Sequence, residues 1–129
     1  MEFPPDLKYS KQHGWVRAEG GEVVLGITDH AQQELGDVVF VELPRPGATI
    51  TRGRPYGSVE SVKAVSDLVA PVSGTVLRVN EDLEGIPELL NSEPYGKGWT
   101  IAVAPADPAG PGDLLAAAEY RAFVEQVAP

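Results

Sequence analysis

Residues 56–79 read YGSVESVKAVSDLVAPVSGTVLRV. Two runs rich in valine and other β-formers flank Lys63, and the segment joining them contains neither proline nor glycine. If the two runs pair, the chain reverses direction around the lysine. The ammonium is then pushed into solvent, clear of both faces of the sheet. The chain has four lysines, at positions 8, 11, 63 and 97, so Lys63 is not one member of a general basic coat. By itself an exposed lysine is an ordinary solvated group. Glu60 and Asp67, on either side of it, read on the same footing as charges that keep a protruding hairpin soluble.

Outward from this hairpin, apolar and β-branched runs recur at roughly 13–18, 22–27, 37–43, 48–51, 55–62, 67–72, 74–79 and 99–104. Glu19-Gly20-Gly21, Pro44-Arg45-Pro46-Gly47 and Arg52-Gly53 punctuate them. Strands this short and this regularly interrupted predict a sandwich or small barrel rather than alternating β and α units. Glycines between Ala18 and Val23 supply the positive φ that a tight hairpin needs. Residues 1–12, with two prolines, read as an irregular lead-in. Thr28 caps a short helix near 28–35 that runs through His30, Gln32 and Leu35 and stops at Gly36. A second helix, about 113–127, is capped by Asp113. Its Ala116, Ala117, Tyr120, Phe123, Val124 and Val127 form one apolar stripe that packs on the sheet. Between sheet and helix, PADPAGPG (105–112) is too rich in proline and glycine to be regular.

Composition narrows the function. A length of 129 residues suits one domain, spanning 1–129 with its core at about 7–104, the linker at 105–112 and the helix beyond. Glycine (14) and proline (12) make up about a fifth of the chain where roughly 12% is usual, as many turns require. The net charge of −9 repels phosphate backbones and anionic lipid, and suits weak docking on basic partners. There is no cysteine, and His13 and His30 are the only histidines. Thiolate metal sites, disulfides and cysteine nucleophiles are excluded, and any redox chemistry must come from a cofactor. No phosphate-cradling glycine loop, nucleophile elbow or zinc spacing is present. The longest wholly apolar run, Leu114 to Ala118, is too short to span a bilayer. The opening MEFPPDLKYS places acids and prolines where a signal peptide places basic and then apolar residues, so a cytoplasmic location is expected.

The stretch Ala70-Pro71-Val72-Ser73-Gly74-Thr75-Val76, with Pro71 eight residues after Lys63, resembles the biotinyl- and lipoyl-carrier domains, in which one hairpin lysine is acylated by a cofactor. Four segments make the likeness specific: HGWV (13–16), GITDHAQQELGDVVFVELPRPG (26–47), ESVKAVSD (60–67) and LLNSEPYGKGW (89–99). In order and spacing they resemble the glycine cleavage H-protein family, from about Leu7 to the C-terminal helix.

That resemblance implies a mainly β fold, a barrel-sandwich hybrid of two antiparallel sheets like that of lipoyl domains. It implies a carrier rather than an enzyme, with lipoic acid joined as an amide to Lys63. Its implied partners are the pyridoxal-phosphate-dependent glycine decarboxylase (P-protein), the tetrahydrofolate-dependent aminomethyltransferase (T-protein), the flavoprotein dihydrolipoamide dehydrogenase (L-protein) and a lipoate-attaching enzyme. Glu60 and Asp67 are then recognition determinants for that last enzyme. Positions 30 and 67 match the histidine and aspartate of a cleft that shelters the loaded arm, so His30 and Asp67 are expected there. A monomer that binds neither nucleic acid nor membrane is expected. Relatives often carry a glutamate where this chain has Gly14, which offers no side chain. Four alternatives stand beside this reading: a lipoyl relay to other lipoate-dependent complexes, a biotin carrier, an unmodified interaction module, and an outright enzyme, for which the sequence offers no nucleophile, metal site or phosphate loop. Biotin carriers usually flank their lysine with methionines, whereas here the neighbours are Val62 and Ala64.

Overall fold

The computed structural model describes residues 1–106 and 114–127. The expected cap at Asp113, most of the expected linker at 105–112 and the side chain of Val127 lie outside the described residues. Among the described residues nine strands and four helices follow one another: β1 (Lys8–Tyr9), β2 (Gly14–Glu19), β3 (Glu22–Ile27), α1 (Asp29–Leu35), β4 (Val38–Glu42), β5 (Thr49–Ile50), β6 (Pro55–Ser61), β7 (Val65–Val69), β8 (Gly74–Val79), α2 (Asp82–Gly85), α3 (Leu89–Ser92), β9 (Ile101–Pro105) and α4 (Ala117–Val127). They form two antiparallel sheets and no closed barrel. The larger sheet runs β1-β2-β3-β9-β8-β5 and the smaller β4-β6-β7.

Strand alternation divides the larger sheet between two cores. In β2 and β3 the register pairs Trp15 with Gly26 and Val16 with Leu25. Val16, Leu25, Ile101 and Val103 point inward and pack with Val72 and Val76. Their neighbours Trp15, Val24 and Ala102 point the other way and pack with Tyr9, Tyr120 and Val124. Successive side chains of a strand face opposite sides, so both faces of this sheet are apolar and each needs a cover. The smaller sheet, α1 with Ala31 and Leu35, and the short helices α2 and α3 enclose a third core around Val38, Val59, Leu68, Leu83 and Leu90.

Helix α4 covers the outer face, as its apolar stripe predicts. Tyr120 is fully buried and stacks on Tyr9 with ring centroids 4.7 Å apart. The helix starts later than the sequence implies because Leu115 is used as a strand. It exchanges both backbone hydrogen bonds with Tyr9, at 2.8 and 2.7 Å. Helix winding then begins at Ala117, and Glu119 reaches back to accept from the Ala116 amide at 2.9 Å. The same pairing corrects the reading of residues 1–12 as merely irregular: Leu7 and Tyr9 belong to the core.

Candidate functional site

The turn between β6 and β7 is built by Ser61. Its amide donates to the Ala64 carbonyl at 2.8 Å, and its Oγ accepts from the Lys63 and Ala64 amides at 3.2 Å each. One hydroxyl thus satisfies both amides at the tip, and the chain turns without glycine or proline. Lys63 is exposed at this tip, between Val62 and Val65, which are each 68% exposed.

The tip does not stand free. The Val62 amide donates to the Asp37 carbonyl at 3.0 Å, and the Lys63 side chain runs over Gly36. A methyl group on Gly36 would lie 3.0 Å from Lys63 Cε. Gly36 itself has φ 75° and ψ −159°, a region essentially reserved for glycine, and it ends α1. At the other end of α1, Thr28 Oγ1 accepts from the Ala31 amide at 3.1 Å, the cap that the sequence predicts. Asn91 on α3 supports Gly36 from behind. Its Nδ2 donates to the Gly36 carbonyl at 2.8 Å, and its Oδ1 accepts from the Val38 amide at 2.9 Å.

A groove of about 320 Å³ begins at the residues that follow Lys63. One wall is β7, the outer strand of the smaller sheet, with Ala64, Val65, Ser66 and Asp67 on or beside it. The other is α1 with Ala31, Glu34 and Leu35, and Gln12, His13 and Gly14 close one end. Its floor and sides are largely apolar, and Glu34 and Asp67 are the two carboxylates that line it.

The residues singled out from the sequence separate here. Lys63 and Asp67 share this side of the molecule. Glu60 lies outside the groove, exposed on β6 and paired with Val65 and Phe40. His30 is buried and does not line the groove. Its ring lies 4.6 Å from that of His13, and its Nε2 stands 3.8 Å from Glu34 Oε1. Trp15 is fully buried, a core aromatic with Nε1 donating to the Pro94 carbonyl at 2.8 Å. Gly14 leaves space at the end of the groove, where an added Cβ would approach Ser10 Oγ to 3.3 Å and the Gly26 carbonyl oxygen to 3.5 Å.

Sequence reasoning passed over two groove residues. Glu34 shares a helix face with Ala31 and Leu35 through i, i+3 and i+4 spacing, but that spacing does not say whether the face meets a groove or solvent. His13 has φ 68° and links two elements. Its Nδ1 is 2.8 Å from the Tyr120 hydroxyl, which is also 2.8 Å from Thr28 Oγ1. Burial, with repulsion from His30 added, holds the His13 imidazole below its ordinary value, while Glu34 pulls the other way. Burial pushes the Tyr120 phenol up to about 12, so it remains a hydroxyl in this network. Among the described residues no cluster of histidine and carboxylates is placed to hold a metal, and no described helix is long and apolar enough to cross a membrane.

Two antiparallel sheets with a single lysine displayed at a braced hairpin define a lipoyl-domain-like fold. Comparison with known proteins makes the assignment narrower. The Glycine cleavage H-protein family matches residues 7–127. The glycine cleavage system H proteins of Anaeromyxobacter sp. (strain K) and Brevibacillus brevis are 52% and 55% identical to this chain over 126 residues. Those alignments cover 98% of this chain and 98% and 100% of the respective relatives. The crystal structure of a glycine cleavage system H protein from Mycobacterium marinum matches with a TM-score of 0.84 at 41% identity, covering 95% of this chain and 97% of that one. The chain belongs to the glycine cleavage H-protein family.

Proposed function

We propose that this protein is the lipoyl-bearing carrier of a glycine cleavage system, with lipoate joined through an amide to Lys63. The observation that carries this reading is the placement of Lys63: exposed, on a tip tied down by Ser61 and Asp37, at the mouth of a groove. A carrier needs one reachable amine on a stiff support so that a modifying enzyme meets it in one geometry. Acylation removes the ammonium, and the aliphatic stem already lies over Gly36, so the modified side chain loses no partner that the amine required. When bound, lipoate supplies a sulfur that accepts the aminomethyl group of glycine from the pyridoxal-phosphate-dependent decarboxylase, presents it to the tetrahydrofolate-dependent aminomethyltransferase, and is reoxidised by the flavoprotein dihydrolipoamide dehydrogenase.

The chain's own residues hold and shelter. Ser61 and Gly36 fix where the arm leaves the surface. Ala31, Leu35 and Val65 offer it an apolar bed beside the tip, which limits water around whatever it carries. Asp67 puts a carboxylate where a cationic cargo would lie. Glu60 and Asp67 remain candidates for what the lipoate-attaching enzyme reads, both being exposed on the hairpin. A carrier role is what membership of the glycine cleavage H-protein family supports. The negative charge favours transient, polar docking on each enzyme in turn.

The test is peptide mapping after incubation with lipoate and a lipoate-attaching enzyme. Lipoate is expected on Lys63 alone. Lys63→Arg should melt at the same temperature as wild type and accept none. With lipoate attached, the protein should restore glycine–bicarbonate exchange by the decarboxylase, and the unmodified chain should not. Lipoate found on Lys8, Lys11 or Lys97 would sink the assignment.

A further inference from the structure

Seven large apolar side chains are exposed among the described residues, and four of them, Val39, Phe40, Val62 and Val65, share one corner of the smaller sheet. Phe40 is the one aromatic of the seven, at 54% exposure. A bulge between Val38 and Phe40 in the β4–β6 register leaves Val39 and Phe40 both exposed, while Val38 and Val41 stay buried. Phe40 then lies directly across from Glu60, and Glu60 directly across from Val65. Opposed residues on adjacent strands show their side chains to the same face. Phe40, Glu60 and Val65 therefore form one row, apolar at its ends and acidic in its middle. Among the described residues no cation pairs with Glu60. The row stands three residues before Lys63 on the same hairpin, and the Asp37 carbonyl that holds the Val62 amide belongs to the loop leading into β4. From this placement we infer that Phe40, with Val39, Val62 and Val65 around it, anchors the lipoate-attaching enzyme on the unmodified protein, that enzyme offering an apolar slot for the ring and a cationic side chain for Glu60.

The inference rests on the carrier function and names the surface that its modification uses. Among the enzymes of that reading, the attaching enzyme alone has to reach the bare amine. An unmodified lysine extends no farther than its own four methylenes, and here they run over Gly36, so the amine stays close to the surface. An enzyme that brings an acyl group to this amine covers the side chains around the tip. The enzymes that act on the sulfur meet the arm farther out, by the length that lipoate adds. The step is an acyl transfer from an activated lipoate, an acyl adenylate. The free amine of Lys63 attacks the acyl carbon, the C–N bond forms, the bond to the adenylate oxygen breaks with its electron pair on the leaving group, and the nitrogen gives its proton to water. Charge fits a basic partner, since the chain carries −9 overall and Glu60 stands inside the apolar patch. Exposed apolar side chains rimmed by charge mark an interaction site, and a ring carried by a paired strand loses little freedom on docking.

The experiment measures lipoate transfer to the unmodified protein by a purified lipoate-attaching enzyme with lipoate and ATP, at varied concentrations of the protein. Phe40→Thr, which keeps a β-branched residue in the strand, should raise KM roughly tenfold and leave kcat within about twofold. Phe40→Leu should return most of the wild-type KM, because the slot takes an apolar side chain. Val62→Thr should raise KM about threefold. Glu60→Gln should do so by a similar factor, and that difference should vanish at high salt. Each variant should melt near wild type, since the altered side chains are exposed. Protein lipoylated to completion is then assayed for glycine–bicarbonate exchange with the decarboxylase, where Phe40→Thr should match wild type in KM. Wild-type KM for lipoate transfer in both Phe40→Thr and Val62→Thr overturns the inference and leaves the carrier function standing. An equal rise in the exchange KM assigns the patch to the decarboxylase and overturns it as well, as does a wild-type dimer in sedimentation that Phe40→Thr abolishes. Wild-type protein that takes no lipoate on Lys63 overturns the carrier function and the inference together.

Discussion

At the scale of single residues, Gly14 leaves one end of the groove without a side chain. Gly14 is not in the left-handed region, where His13 is, so a side chain at position 14 carries no backbone strain. Its Cβ would meet Ser10 Oγ at 3.3 Å, a contact that a rotation of the serine relieves, although that hydroxyl also accepts from the Gly14 amide at 3.1 Å. Gly14→Glu is therefore expected to fold, with a stability loss of about 1 kcal/mol from the crowding. In an Asp67→Asn background it should slow ammonia release from protein that has been lipoylated and loaded by the decarboxylase, because a carboxylate again stands at the groove. Calorimetry and the release assay check the two halves of this prediction separately. Asp67 was named for the groove only through the family resemblance, whereas the tip at Lys63 was legible from the β-runs around it. Glu34 was not, since a helical glutamate facing a groove looks in sequence like any glutamate facing solvent.

At the scale of elements, the hairpin is held as much from behind as by its own turn. Asn91 joins α3 to both the end of α1 and the start of β4, and the α1–β4 loop in turn holds Val62. Asn91→Ala removes the partners of the Gly36 carbonyl and the Val38 amide, which costs about 2 kcal/mol at roughly 1 kcal/mol for each bond. Urea unfolding should show that loss. Amide exchange should quicken at Val38 and Val62 and remain slow at Leu25 in the large sheet. If only Val38 changes, the brace does not reach the tip. The helices α2 and α3 were not visible beforehand, being four residues each and without the side-chain caps that marked α1. By contrast, α1 announced itself through Thr28 and Gly36, because capping chemistry is local.

At the scale of the molecule, α4, the lead-in strand and the groove meet at Tyr120. Its hydroxyl lies 2.8 Å from both His13 and Thr28, so the helix that covers the large sheet is tied to the groove end and to the cap of α1. This junction makes stability depend on pH. His13 in the folded protein sits below its ordinary value of 6.5, chiefly through burial, with His30, Glu34 and Tyr120 around it. The unfolded chain therefore binds the proton more readily, and stability falls as pH drops from 6.5 toward the folded value. His13→Asn, which tolerates the positive φ, should lose less stability than wild type between about pH 7.5 and about pH 5.5. Equal losses in denaturant titrations at the two pH values would remove His13 from the account. The sequence by itself determined the strand spacing, the capped helix α1, the lysine at the hairpin tip and the apolar stripe of α4, because breakers, caps and periodicity act between residues a few positions apart. Only the tertiary structure decided that Leu115 pairs with Tyr9, that Tyr120 closes on His13 across 107 positions, and that Glu34 faces the same groove as Asp67. Those contacts join segments whose local sequence carries no record of the partner: α4 covering the larger sheet brings the first two together, and α1 lying beside β7 of the smaller sheet the third.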